Sequence, residues 1–197
     1  LRHLPQLESL ALRPCTQVTD QGVRDLALYG LKYLTDLASL NLDFSRCSKI
    51  TDQGMLDLAC EGLRHLSQLK SLNLSFFGCD RITTQGWTNL AWNGLRHLPQ
   101  LESLALSPCT QITDQGVREF ALYGLKPLTG LASLILNFFW CSKITDKGMF
   151  DLTCEGLRDL SQLKSLGLNF AGCKEITAEG WTSLAWNGLR HLSQLES

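Results

Sequence analysis

The sequence predicts an α/β solenoid, a right-handed horseshoe with parallel strands on its concave face and helices on its convex face. Three observations predict it. First, Leu, Gly and Cys recur at fixed spacing, the mark of stacked repeats. Cutting before each L-[RK]-x-L gives six units, residues 1–30, 31–62, 63–94, 95–124, 125–156 and 157–188, and a partial unit 189–197. Second, residues 1–94 match residues 95–188 without a gap and differ at 22 of 94 positions, so a three-unit block is duplicated. Third, every unit changes from period 2 to period 3.6 at the same place. A lone strand and helix cannot bury their apolar faces, whereas stacked copies can, with strands about 4.8 Å apart. All 197 residues then form one repeat domain.

Residues 31–62 justify the elements in order. Leu37-Ala38-Ser39-Leu40-Asn41-Leu42 ends in alternation, so Leu40 and Leu42 share one strand face, with Ser39 and Asn41 on the other. The segment Cys47-Ser48-Lys49-Ile50-Thr51-Asp52 turns the chain, and Thr51 or Asp52 offers an oxygen to cap a helix. Met55, Leu58, Ala59, Leu63 and Leu66 follow helical spacing. Gly62 recurs as Gly30, Gly94, Gly124, Gly156 and Gly188. Either a left-handed C-cap or a close approach of neighbouring helices requires glycine there, and the cap is the favoured reading. Strands centre on Leu10–Leu12, Leu40–Leu42, Leu72–Leu74, Leu104–Leu106, Leu134–Leu136 and Leu166–Leu168, with Leu195 marking a possible seventh.

The pattern LxxLxL…C…[IV]T[DTA]xG resembles leucine-rich repeats of the cysteine-containing type, as in F-box-associated substrate-recognition proteins, and its long helix resembles the ribonuclease-inhibitor-like class. The resemblance implies protein binding. The units are longer than the usual 20–29 residues, and neither an F-box segment nor a capping unit is present.

Composition narrows the function. The chain is 44% hydrophobic and 19% charged with net charge −1, so no bulk field recruits nucleic acid or an anionic membrane. No apolar run reaches the roughly 18–20 residues of a membrane span. The lack of an initiator Met suggests a piece of a longer chain or a processed one. Cys15, Cys47, Cys79, Cys109, Cys141 and Cys173 occupy one column, with Cys60 and Cys154 equivalent to each other. Column thiols point the same way rather than at one another, so free thiols in a reducing intracellular compartment are expected. No CxxC or paired-His spacing indicates a metal, and no cofactor is expected. His3, His65, His97 and His191 read as surface residues, as do the basic column residues Arg2, Lys32, Arg64, Arg96, Lys126, Arg158 and Arg190, which suit helix C-termini. Trp87 and Trp181 fall on the inward helix face and are expected in the core, and Trp92 and Trp186 are expected to pack between helices. No nucleophile elbow, phosphate loop or HExxH occurs, so no enzyme is expected.

A binding face is the remaining function class. Phe138, like Phe44, Phe76 and Phe170, continues the strand alternation into the core. Phe139 and Trp140 follow it, equivalent to Ser45 and Arg46 in the first block, while Phe77 occupies the same position as Phe139 one unit earlier. Positions accepting Ser, Arg or Gly are exposed, so Phe77, Phe139 and Trp140 are expected at the rim of the concave face, with Pro108 between them. Asn41, Asn73 and Ile135 on outward strand positions and Arg46 on the rim complete the candidate partner site. Ten of the 22 differences between blocks fall on such outward or loop positions. The expected partner is a protein. The alternatives are a structural spacer in a larger assembly and the substrate-recognition part of a ubiquitin ligase. Uncapped ends also suggest head-to-tail self-association.

Overall fold

The computed structural model describes residue 4 and residues 6–196. Among these, six strands form a single parallel sheet in chain order: β1 Ser9–Leu12, β2 Ser39–Asp43, β3 Ser71–Ser75, β4 Ser103–Ser107, β5 Ser133–Asn137 and β6 Ser165–Asn169. Each strand pairs with the equivalent residue of the next, as Leu40 with Leu72 and Leu72 with Leu104. The alternation is realised: Leu40, Leu42, Leu72 and Leu74 are buried while Asn41 and Asn73 between them are exposed. Among the described residues of the partial unit no strand forms, and Leu195 lies outside any strand.

Six helices follow the strands: α1 Asp20–Tyr29, α2 Asp52–Asp57, α3 Thr84–Asn93, α4 Asp114–Glu119, α5 Asp146–Asp151 and α6 Ala178–Ser183. The first and third stay α-helical to a terminal glycine. The other four widen into a π turn, as over Leu58–Gly62 after α2. Met55, Leu58, Ala59, Leu63 and Leu66 are all buried, as their spacing predicts.

The glycine column is a close approach, not a left-handed cap. Gly30, Gly62, Gly94 and Gly188 have φ of −118°, −112°, −115° and −106°. A β-carbon on Gly62 would stand 3.3 Å from the Ala27 β-carbon, and one on Gly94 3.3 Å from that of Ala59. The helix terminus, widened or not, is pressed against the preceding unit, so volume rather than backbone conformation selects glycine.

A second glycine has a different cause. The cap is Thr51, whose Oγ1 accepts from the Gln53 N–H at 3.2 Å. Asp52 does not cap its own helix. It reaches into the next unit, where its carboxylate accepts from the Thr83 N–H (2.7 Å), the Thr83 hydroxyl (2.7 Å) and the Gly86 N–H (3.0 Å). Asp20 holds Thr51 and Gly54 in the same way, and Asp146 holds Thr177 and Gly180. Asp114 holds Thr145. A β-carbon on Gly54 or Gly86 would fall 2.5 or 2.6 Å from the carboxylate oxygen, which explains the TDxG spacing. Each carboxylate satisfies orphan N–H groups at the next helix start and sits at its positive end. The position is Thr84 in the third unit and Ala178 in the sixth. The joint between blocks therefore has no such clamp: Thr84 and Thr113 share a hydroxyl contact of 2.9 Å instead.

One continuous core runs through all six units. Phe44 stacks on Phe76 (ring centroids 5.4 Å) and Phe138 on Phe170 (5.2 Å). Buried Pro108 interrupts the Phe row at the block joint, where Trp87 bridges edge-on to Phe76 (6.2 Å) and Phe120 (6.3 Å). All eight cysteines are free thiols. The buried column thiols donate to backbone carbonyls of the preceding unit, Cys79 to Phe44 at 3.1 Å and Cys109 to Ile82 at 3.0 Å. Burial pushes the Cys79 thiol up to about 12. Among the described residues, no helix is long and apolar enough to cross a membrane.

Candidate functional site

The loops after β2, β5 and β6 start from a side-chain turn. The carboxylate of Asp43 accepts from the Ser45 N–H at 3.0 Å, Asn137 from that of Phe139 at 3.3 Å, and Asn169 from that of Ala171 at 2.9 Å. Such turns hold the chain two residues on. The next residue then enters the left-handed region: Arg46 (φ 63°), Gly78 (75°), Trp140 (61°) and Gly172 (86°). Two units meet this demand with glycine and two do not. A bulky aromatic residue there is a genuine outlier. The equivalence of Gly78 and Gly172 to Arg46 and Trp140 was the signal for this turn, and it reads as exposure alone if conformation is not considered.

The left-handed backbone sets Trp140 outward, 52% exposed. A β-carbon on Gly172 would lie 3.2 Å from its indole Cγ, so the indole covers the glycine of the following unit. Phe139 meets Trp140 edge-on with centroids 6.0 Å apart, and Phe77 lies 6.0 Å from Phe139 on its other side. The three rings form one chain along the loop edge. Phe77 and Phe139 are half-buried rather than free, and they meet each other directly, while Pro108 is buried instead of exposed at the rim.

The remaining candidates separate into two places. Asn41, Asn73 and Ile135 occupy one exposed sheet row, paired through Ala105. Ile135 is 49% exposed, the one large apolar side chain in a row otherwise of Asn, Ala and Gly. Asn41 and Asn73 border a shallow depression of about 420 Å3 with Arg13, Asp43, Ser75 and Ser107, and the aromatic chain does not line it. Arg13 pairs with Asp43 at 2.8 Å. Burial alone would raise the Asp43 carboxyl, but hydrogen bonds from Ser45 and the Arg13 charge outweigh it and hold it below its usual range. Arg46 is exposed, and its backbone N–H donates to the Phe77 carbonyl at 2.7 Å.

Other side chains depart from expectation. Trp87 is buried under Phe120 of the next unit, but its counterpart Trp181 is 51% exposed, with no further helix against it among the described residues. Trp92 does pack between helices, stacking on Tyr123 of the next unit at 4.2 Å with the Arg96 guanidinium 4.8 Å from its ring centre, whereas its counterpart Trp186 is 66% exposed. His65 and His97 have lowered pKa values, through partial burial and the neighbouring cations Lys32 and Arg64 for the first and Arg64 and Arg96 for the second. Among the described residues, no group of three His, Cys, Asp or Glu is placed to hold a metal ion.

Parallel strands in register, buried leucines and a strand–loop–helix repeat define a leucine-rich-repeat solenoid. Among solved structures, a chain of the yeast Rad7 and Elc1 complex superposes with a TM-score of 0.62 and 24% identity, covering 92% of this chain and 42% of that one. This chain thus spans less than half the length of that neighbour. The tropomodulin C-terminal domain of Caenorhabditis elegans superposes with a TM-score of 0.52 and 10% identity, covering 98% and 89%. No protein-family model matches the chain, and no curated protein does.

Proposed function

We propose that residues 1–197 act as one protein-interaction module without catalysis, binding a partner protein through the exposed sheet face and the aromatic chain at its edge. Helices pack 8–10 Å apart and strands about 4.8 Å, so stacking the units bends the sheet inward, and the Asn41–Asn73–Ile135 row becomes the floor of a concave surface. Trp140 carries the reading. A large apolar residue is held half exposed in a backbone conformation that costs free energy, next to two further rings. Backbone strain collects at ligand sites, and exposed aromatic residues are the usual anchors of protein interfaces. The yeast neighbour is itself described as part of a two-protein complex, which suits this reading. Buried thiols that donate as S–H suit a reducing, intracellular setting.

Changing Phe139→Ser together with Trp140→Arg copies the first block, where Ser45 and Arg46 occupy these positions. Stability should stay within about 1 kcal/mol, as for surface changes. Affinity for a partner captured with the unchanged chain should fall by about 2 kcal/mol or more. Undiminished affinity in a folded double variant would remove the aromatic edge from the interface.

A further inference from the structure

Short helical turns at Leu31–Tyr33, Leu63–His65 and Leu95–His97 lead from each helix back to the start of the next strand. They lie on the edge of the solenoid opposite the aromatic chain, which follows the strand ends. The turns bring Lys32, Arg64 and Arg96 to equivalent positions in consecutive units. Among the described residues, none of these three cations pairs with a carboxylate. A helix terminus favours a nearby cation, but it does not account for the missing counter-charge. The second block shows that the fold has room for one: Lys126, the counterpart of Lys32, pairs with Asp159 at 3.7 Å. In the first block His65 stands at the position of Asp159. The His65 imidazole meets Lys32 and Arg64, with Glu61 opposing them, and the His97 imidazole meets Arg64 and Arg96. Burial and then these cations hold both histidines below their usual pKa. The row ends at a cleft. Arg96 lies 4.8 Å over the Trp92 ring, and Trp92, 39% exposed, stacks on Tyr123. Leu122 and Pro127 complete the walls of this cleft, about 280 Å3 in volume.

We propose that this edge docks an extended acidic segment of a partner protein, with its carboxylates on Lys32, Arg64 and Arg96 and one apolar side chain in the Trp92 cleft. Charge complementarity names the occupant. The row lacks the carboxylate that its own duplicate supplies, and guanidinium groups take carboxylates through paired hydrogen bonds. Neighbouring helices pack 8–10 Å apart, so the three cations span roughly 20 Å. An extended chain at about 3.3 Å per residue covers that distance with about six residues. One exposed ion pair contributes little. Several in register, next to an apolar anchor, define both the direction and the sequence of what binds. A nucleic acid fits less well. The net charge of −1 provides no long-range field for its many phosphates, whereas a short acidic segment needs only the local cations. This contact is independent of the aromatic chain on the other edge, so Phe139→Ser with Trp140→Arg should leave it intact.

Fluorescence anisotropy of a labelled peptide, six glutamates followed by a phenylalanine, tests the docking on the full chain. Two variants should weaken binding by roughly tenfold or more: His65→Asp, which restores the counter-charge of the second block, and Arg64→Gln combined with Arg96→Gln. Bound carboxylates raise the pKa of His65 and His97, so binding takes up protons and should tighten as pH falls from about 8 to about 6. Added salt should weaken it. Replacing the glutamates by glutamines should also cost roughly tenfold or more. Circular dichroism checks that the variants fold. The second block already tolerates Asp159 at the position of His65, so that variant decides the outcome if the double one unfolds. Absence of binding at about 1 mM peptide, equal affinity for the glutamine peptide, or undiminished affinity in His65→Asp would each overturn the proposal. So would tighter binding of a single-stranded RNA hexamer than of the peptide.

Discussion

At Trp140 two opposing terms meet on one residue. A left-handed φ costs an L-residue roughly 1–2 kcal/mol that glycine avoids, while the indole gains contact with Phe139 and Gly172. Trp140→Gly should therefore leave stability within about 1 kcal/mol of the unchanged chain despite deleting the largest side chain type. Trp87→Ala, by contrast, removes a fully buried indole and should cost about 3–5 kcal/mol. Urea unfolding of the two variants compares them, and a loss above about 2 kcal/mol for Trp140→Gly would mean that the indole is part of the packing. Sequence reasoning places Trp140 outside the core because its equivalents are Arg46 and Gly78. The half-burial of Phe77 and Phe139 was not legible there. It arises from contact between loops of two units, and periodicity describes one unit at a time.

The helix starts illustrate how much an element depends on its neighbour. The pattern T-D-x-G suggests a cap and nothing more, yet three of its residues belong to a clamp between units. Asp52→Ala leaves the Thr83 and Gly86 N–H groups without their acceptor. Hydrogen bonds to a charged group are worth about 1.5–3 kcal/mol where shielded and less in water, so a loss of about 2 kcal/mol is expected. Thr84→Ala at the unclamped joint should cost under about 1 kcal/mol, the worth of one neutral hydrogen bond. Equal losses in thermal unfolding would refute the distinction. The glycine column carries a similar lesson. Its recurrence was plain, but a left-handed cap and a tight helix contact leave the same letter in a sequence, and only the negative φ values separate them.

Over the whole molecule, the architecture was the most legible part. Six copies of one pattern predict six strands in register, and the leucine, phenylalanine and cysteine columns all fall in the core where they are complete. A column alone does not fix burial: Trp181 follows the same spacing as Trp87, but among the described residues it lacks the neighbour that Phe120 gives Trp87. The cysteine column makes a prediction for the entire stack. Its buried thiols are favoured in the neutral form, first by desolvation, which raises Cys79, Cys109, Cys141 and Cys173 alike. A raised thiol contributes stability that is fully present below its ordinary value near 9 and is lost as pH rises through its folded value, about 12 for Cys79. Urea midpoints should fall between pH 9 and 11, and fall less steeply in Cys79→Ala. An equal slope in that variant would assign the decline to other groups.

The unclamped joint at Thr84 bears on heredity as well as on packing. A coding segment copied in tandem succeeds at once only if its last unit already fits its first. Here the third unit meets the fourth through rings, backbone and hydroxyl contacts, as where the Thr110 hydroxyl donates to the Asp80 carboxylate at 3.3 Å, with no aspartate clamp at the helix start, and the fourth repeats the first. A gene that gains or loses a whole three-unit segment leaves every seam with the pairing it had before. A gain of one unit would set Trp92 against Glu or Asn positions in place of Tyr123. Length in this lineage can thus drift in threes while shape and seam chemistry are inherited unchanged.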